Sequence, residues 1–309
     1  MSSRIRTLVL MTVMTVLIMW VGRVIGGTGG MIIALLIAGG LNFFSYWYSD
    51  KMVLKMYRAR PVSQREAPEL YNLVADLTQK AGLPMPSLYI IPQQAPNAFA
   101  TGRNPEHAVV AVTDGLIRYM NRDELAGVIA HELGHIKNRD MLIQTLAATM
   151  AGAVMMLASL ARWSALFGGL GGNDEEGGGG IIALLVMSII APLAAMLIQM
   201  AISRSREYLA DSTSAQITGN SQGLASALDK LGAYSKQIPM QAEPATAHMF
   251  IANPLSGQSL SHLFSTHPPI EKRIARLSPG GRNGGSHESG NEQKNSVADQ
   301  AKNFWDQMR

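Results

Sequence analysis

The sequence predicts an α+β fold that is mostly helical, with about four transmembrane helices and one domain outside the bilayer. Three observations predict it. Four apolar segments at or near membrane-spanning length interrupt the 309 residues. Between the second and third lies a stretch of helical period that runs through His131-Glu132-Leu133-Gly134-His135. Upstream of that helix, two short apolar runs, at 87–91 and 109–113, read as buried strands. Composition agrees: 47% of residues are hydrophobic and 16% charged, against about 25% charged in an ordinary soluble domain.

The first apolar segment runs from about Leu8 to Val21 and the second from Met31 to Trp47. The first is short, and Arg4 and Arg6 before it resemble the start of a signal peptide. No convincing small-residue cleavage site follows, and a second apolar segment begins within a few residues. The reading is therefore a retained helical hairpin over residues 1–50. A second hairpin, over 141–202, comprises Met141–Ala161, a glycine-rich loop holding Asp174-Glu175-Glu176, and Ile181–Ile202. Basic residues set the orientation. Arg4 and Arg6, Lys51 to Arg60, Lys137 and Arg139, and Arg204 and Arg206 all fall on one side if every segment spans. That side is the cytoplasm, which places both termini and the motif there. The net charge of +4 is modest and sits beside apolar runs, so it points to anionic lipid headgroups and not to nucleic acid.

Residues 51–140 and 203–278 form the two parts of the domain outside the bilayer. Ala67–Ala81 reads as a helix closed by Gly82 and Pro84. Ser87–Ile91 and Val109–Thr113 read as short buried strands, with Pro96–Gly102 between them as an exposed edge strand or turn. A peptide could add to such an edge through main-chain hydrogen bonds. Asn121 to Glu124 reads as an N-cap with an acidic residue three positions on, and Leu125, Val128 and Ile129 carry helical spacing into the motif. Ser221–Tyr234 reads as scaffold helix. Gln237–Leu260 has no clear period and reads either as a lid near a cleft or as an irregular surface loop. After Pro268-Pro269 a helix carries Ile270, Ile274 and Leu277 as its apolar stripe, with Arg273 and Arg276 on another face. The tail 279–309, rich in Gly, Ser, Asn and Gln, reads as disordered.

The chemistry lies in the H-E-x-x-H motif. Residues four apart share a helix face, so His131 and His135 can address one Zn2+ ion. Glu132 stands beside them, placed to take a proton from a water on such an ion. Gly134 is unfavourable in a helix interior by about 1 kcal/mol relative to alanine, which implies that another backbone approaches there. A catalytic zinc needs a third protein ligand and an open position. Cysteine cannot supply it, since the chain has none. Among histidines and carboxylates on the same side of the membrane, Glu207 is the best candidate. Asp211, one turn on, is then placed to accept a hydrogen bond from a ligand histidine. The same segment reads equally as a solvated helix whose Arg and Glu residues pair with each other.

His-Glu-Leu-Gly-His at 131–135, Glu-Tyr-Leu-Ala-Asp at 207–211, Asn-Ala-Phe-Ala-Thr-Gly at 97–102 and Ser-Thr-His-Pro-Pro at 265–269 occur together and in order. Over residues 1–278 the chain resembles the HtpX-type membrane metalloproteases, relatives of the zinc-dependent CAAX prenyl proteases. The resemblance implies a cytoplasmic zincin-like metalloprotease domain with one zinc per chain. It implies His131, His135 and Glu207 as ligands and Glu132 as catalytic base. It supports Asn97 and Ala98 as residues that bind an extended substrate. It further implies a bacterial inner-membrane endopeptidase that clears misfolded or unassembled membrane proteins under stress. His267 opens a helix, where it could stabilise the oxyanion, fix the local turn, or hydrogen-bond the zinc helices. Two other functions compete: narrow processing of lipidated C-terminal peptides, and a non-catalytic zinc-stabilised adaptor. A structural site would be closed by four ligands and would need no base, so Glu132 speaks against the adaptor.

Overall fold

The computed structural model describes residues 3–151, 204–243, 245–254 and 268–278. Helix α1 (Ser3–Met56) is helical throughout, yet it reverses direction at Gly27, whose φ is +58°. The Asn42 side-chain amide donates to Thr15 Oγ1 at 2.8 Å, although 27 residues of straight helix would separate the two by about 40 Å. A Cβ on Gly22 would lie 2.5 Å from the Gly30 carbonyl oxygen, so the arms pass closely at the turn. The second arm, Gly27–Met56, is 30 residues long and is the one helix among the described residues that is long and apolar enough to cross a membrane. It continues past Trp47, where the sequence reading ended it. Thr7–Trp20 and α5 (Met141–Ala151) are shorter apolar helices. The rest of the third apolar segment, the fourth at 181–202, His267, and the tail from 279 lie outside the described residues.

After α1 the chain builds a four-stranded sheet in the order β1-β2-β4-β3. Strands β1 (Arg60–Pro61), β2 (Ser87–Ile91), β3 (Ala98–Thr101) and β4 (Val109–Thr113) include a parallel pair, β2 with β4, whose register runs from Ser87 opposite Val109 to Ile91 opposite Thr113. Strand β3 runs antiparallel to β4 and forms one edge. Helix α2 (Pro68–Ala81) starts on a proline and ends at Gly82 in the left-handed conformation, with φ +69°. The short α3 (Asp114–Tyr119) is capped by the Thr113 hydroxyl.

Helix α4 (Arg122–Lys137) is the centre of the domain. Asn121 and Glu124 form a reciprocal capping box at its start, as the sequence indicates. One side of α4 packs on α2 and on the sheet, through Leu125, Ile129, Leu133 and Ile136 with Leu73, Leu77, Val110 and Val112. Another meets α6 (Arg204–Thr218) and α7 (Gln222–Gln237). Lys230 of α7 reaches Glu124 at 2.7 Å and Ser226 hydrogen-bonds the same carboxylate. Helix α8 (Ile270–Leu277) closes the bundle over α6 and α7.

Helix α4 meets α7 without room for a side chain at Gly127. A Cβ there would sit 2.5 Å from the Leu224 nitrogen and 2.8 Å from its Cα. Backbone cannot swing aside as a long side chain can, so the helices must separate. Gly127→Ala is expected to destabilise the chain by about 1–3 kcal/mol, the usual range for overpacking. Thermal unfolding of the detergent-purified variant checks this; an unchanged midpoint would contradict the close approach.

Candidate metal centre

The motif residues are deeply placed: His131 is 0% exposed, Glu132 1% and His135 5%. Helix α6 crosses α4 at Gly134, where a Cβ would meet the Ala210 Cα at 3.1 Å and the Ala210 carbonyl oxygen at 3.2 Å. This is the close backbone approach that a glycine inside the motif implies. The crossing lays Glu207 and Asp211, one turn apart on α6, against the two histidines.

Three donor atoms converge there. His131 Nε2 lies 3.2 Å from His135 Nε2 and 3.6 Å from Glu207 Oε2, and His135 Nε2 lies 3.5 Å from Glu207 Oε1. Four-coordinate zinc with nitrogen and oxygen ligands at about 2.0–2.1 Å would hold neighbouring ligand atoms about 3.3–3.4 Å apart, so the spacing fits. His131, His135 and Glu207 are also the group among the described residues whose ligand atoms all lie within 4.8 Å of one another. Among the described residues, two histidines and one carboxylate would leave a fourth position on such an ion open, the donor set of a catalytic site. Glu132 stands close enough to interact electrostatically with all three, and the Ala100 N–H of β3 faces its carboxylate.

Around the donors stands a set of partners that orient them. Asp211 Oδ1 lies 3.0 Å from His131 Nδ1, which leaves Nε2 of that ring for a metal. Arg273 in turn grips Asp211 with two bonds, Nη2 to Oδ1 at 2.6 Å and Nε to Oδ2 at 3.0 Å. Its Nη1 is 3.8 Å from Glu207 and donates to the Ile251 carbonyl at 3.2 Å. At the second histidine, Asp140 Oδ2 lies 3.7 Å from His135 Nδ1, and Arg206 pairs with Asp140 at 2.6 Å.

These neighbours set the charge states. Burial raises the Glu132 carboxyl; His131, His135 and the Ala100 N–H oppose it, Glu207 adds to it, and the net effect is upward. Burial and the Arg273 guanidinium act against a charge on His131, but the bonds to Asp211 and Glu207 prevail and push it up to about 9. Burial would raise Asp211, yet His131 and Arg273 hold it below the usual carboxylate value.

The structure thus brings together His131, Glu132, His135, Glu207 and Asp211. It treats Asn97 and Ala98 differently from the open edge the sequence suggests: both are buried against residues 251–252 of the same chain. It also corrects the placement of Arg273, which does not lie on a face apart from the apolar stripe. Ile270, Arg273, Ile274 and Leu277 follow the i, i+3, i+4, i+7 spacing of a single buried face, and Arg273 is fully buried while Arg276 stacks outside on Tyr208 at 3.6 Å. A charged residue in the core position of a short helix was the available signal. Asp140 and Arg206 carried no such mark, because each reads as an ordinary flank of an apolar segment.

A buried His-His-Glu centre with a separate carboxylate on the motif helix defines a metallopeptidase. Residues 64–279 match the model of peptidase family M48, and the chain belongs to that family. It is 63% identical to a protease HtpX homolog of Desulfatibacillum aliphaticivorans, over 100% of both chains. It is 60% identical to one of Desulforapulum autotrophicum, again over 100% of both, and 58% identical to one of Pyrococcus furiosus, covering 88% of this chain and 94% of that one. Among solved structures, S. mikatae Ste24p aligns over 80% of this chain and 57% of its own, with TM-score 0.47 and 20% identity.

Proposed function

We propose that this metallopeptidase is a zinc-dependent, membrane-bound endopeptidase. It would hydrolyse misfolded or unassembled membrane proteins at the cytoplasmic face of a bacterial inner membrane, as part of quality control under stress. The observation that carries the reading is the triangle of His131, His135 and Glu207 donor atoms at 3.2–3.6 Å with Glu132 beside it. Zinc held there would supply a Lewis acid for the scissile carbonyl and lower the pKa of water. The chain does the rest. Glu132 takes the proton from the attacking water and passes it to the leaving amine, its carboxylate steered by the Ala100 N–H. Asp211 and Arg273 fix the His131 ring, and Asp140 with Arg206 backs His135. Ala98 opens the strand on which an extended substrate would lie and Asn97 immediately precedes it, and His267 is the sequence-derived candidate for steadying the oxyanion.

Membrane attachment is supported by the apolar outer surface of the hairpin, where Leu8, Val16, Ile33, Leu36 and Phe43 are exposed. At its domain end, Lys51, Lys55 and Arg58 line one cavity with Leu54, Ala59 and Tyr89, a concentration of cations suited to phosphate headgroups on the cytoplasmic side.

Detergent-purified protein is expected to hold about one zinc and to cleave an unfolded polypeptide, and Glu207→Ala to lose both. Retention of zinc and cleavage by that variant would overturn the ligand set. Zinc without any peptide hydrolysis in the wild type would favour the adaptor. Products confined to one C-terminal sequence class would favour narrow processing over quality control.

A further inference from the structure

We infer that Thr246–Ala252 is an internal strap that occupies the substrate edge of the site and must leave it before a peptide binds. The inference rests on the reading of β3 as the strand that receives substrate. In the β3–β4 register, Thr113 donates its N–H to the Asn97 carbonyl, so Asn97, Phe99 and Thr101 turn their main-chain groups toward β4. Ala98 and Ala100 therefore turn theirs outward. Three of these four outward groups, all but the Ala100 carbonyl, are spoken for. The Ala98 carbonyl accepts the Ile251 N–H at 3.1 Å. The Ala98 N–H goes to Asn97 Oδ1 at 3.1 Å, and the Ala100 N–H faces the Glu132 carboxylate, whose charge it favours. The Asn97 amide closes a pair with Ala252, donating to its carbonyl at 2.9 Å and accepting its N–H at 3.2 Å. An incoming strand would make bonds of this kind, and the chain already makes them with itself. Consistent with this, Asn97, Ala98 and Ala100 are at most 3% exposed and the metal-site residues at most 5%.

The strap is tied at both ends to elements that matter. Toward the site, the Ile251 carbonyl accepts from Arg273, the residue that grips Asp211. Away from it, the anchors are the ends of the apolar helices. Phe250 packs edge-on against Tyr57, just past α1, with centroids 5.0 Å apart, and against Phe99 at 5.2 Å. The Tyr57 hydroxyl hydrogen-bonds Thr246 and accepts the Glu243 N–H at 3.3 Å. His248 Nε2 lies 3.1 Å from the Gln144 carbonyl oxygen of α5. A shift of the apolar helices therefore reaches the substrate edge through these contacts. The strap lowers apparent peptide affinity by the fraction of molecules in which it is in place.

The test uses full-length protein in detergent and a quenched extended peptide, with binding measured on the Glu132→Gln background so that it does not depend on turnover. Because the chain has no cysteine, a disulfide between Ala98→Cys and Ile251→Cys locks the strap alone. Oxidation is expected to weaken peptide binding at least about tenfold, and reductant to restore it, with zinc content constant. Tyr57→Phe, which removes only the hydroxyl anchors, is expected to tighten binding about threefold and to lower KM in the active enzyme, with kcat little changed. That arm reads whether or not the disulfide forms. Unchanged affinity in Tyr57→Phe, or full affinity in the oxidised double variant, would overturn the strap and leave the segment a fixed wall. Failure of the wild type to hydrolyse peptide, with strap-dependent binding intact, would instead count against the peptidase reading.

Discussion

Glu132→Gln is expected to leave the metal bound and to reduce peptide hydrolysis by about 10²–10⁴-fold, the range carried by a positioned general base. Glutamine preserves the shape of a side chain that is 1% exposed and can still face the Ala100 N–H, so neither packing nor the three donor atoms should change. What is lost is the acceptor for the water proton. Zinc analysis beside cleavage assays checks both halves, and cleavage by the zinc-loaded variant would refute the mechanism. The pH profile offers a second reading. The base works only when ionised, and burial raises its carboxyl above the ordinary value. Activity should therefore fail on the acid side at a higher pH than a solvent-exposed glutamate would give, and Glu132→Gln should remove that limb from any residual rate.

Arg273→Ala is expected to cost about 3–5 kcal/mol of stability, because it strands the Asp211 carboxylate in the interior without its partner. It should also weaken zinc binding about 10–100-fold, since Asp211 would no longer be fixed against His131 Nδ1. Arg273→Lys should recover part of the stability but not the geometry, because an ammonium cannot make the two-pronged contact with Nε and Nη2 at 3.0 and 2.6 Å. Thermal unfolding and zinc competition separate the effects. Stability and zinc affinity both unchanged in Arg273→Ala would show that the guanidinium orients nothing. Low pH probes the same pair. Asp211 is held below its ordinary value, so its contribution to stability is fully present above the unfolded pKa. That contribution is lost only as pH falls through the lower folded one.

Much of this centre was legible in the chain because helices convert spacing into geometry. A spacing of four from His131 to His135, and again from Glu207 to Asp211, means a shared face whatever surrounds them. The cap at Asn121, the glycine stop at Gly82 and the two strands at 87–91 and 109–113 are likewise local, decided within a few residues. Arg273 was misplaced for the opposite reason. Its spacing puts it on the buried face of α8, but a guanidinium belongs in a core only if a carboxylate awaits it, and Asp211 lies 62 positions away. Asn97 shows the same limit: its motif suggests an exposed edge, and its partner at Ala252 is 155 positions distant.

By itself, then, the sequence determined the face that His131 and His135 share on α4, the face that Glu207 and Asp211 share on α6, the family, and the apolarity of the second hairpin arm, though not where that arm ends. Each is written in nearest-turn periodicity or in transfer free energy, which depend on residue type and order alone. Only the tertiary structure decided that α6 crosses α4 at Gly134 and so closes the donor triangle. It alone decided that Arg273 and Asp140 back the two histidines, and that the chain covers its own edge strand with residues 251–252. Those outcomes depend on which distant surfaces meet, and a hydrogen bond or ion pair across the fold leaves no trace in the residues beside it.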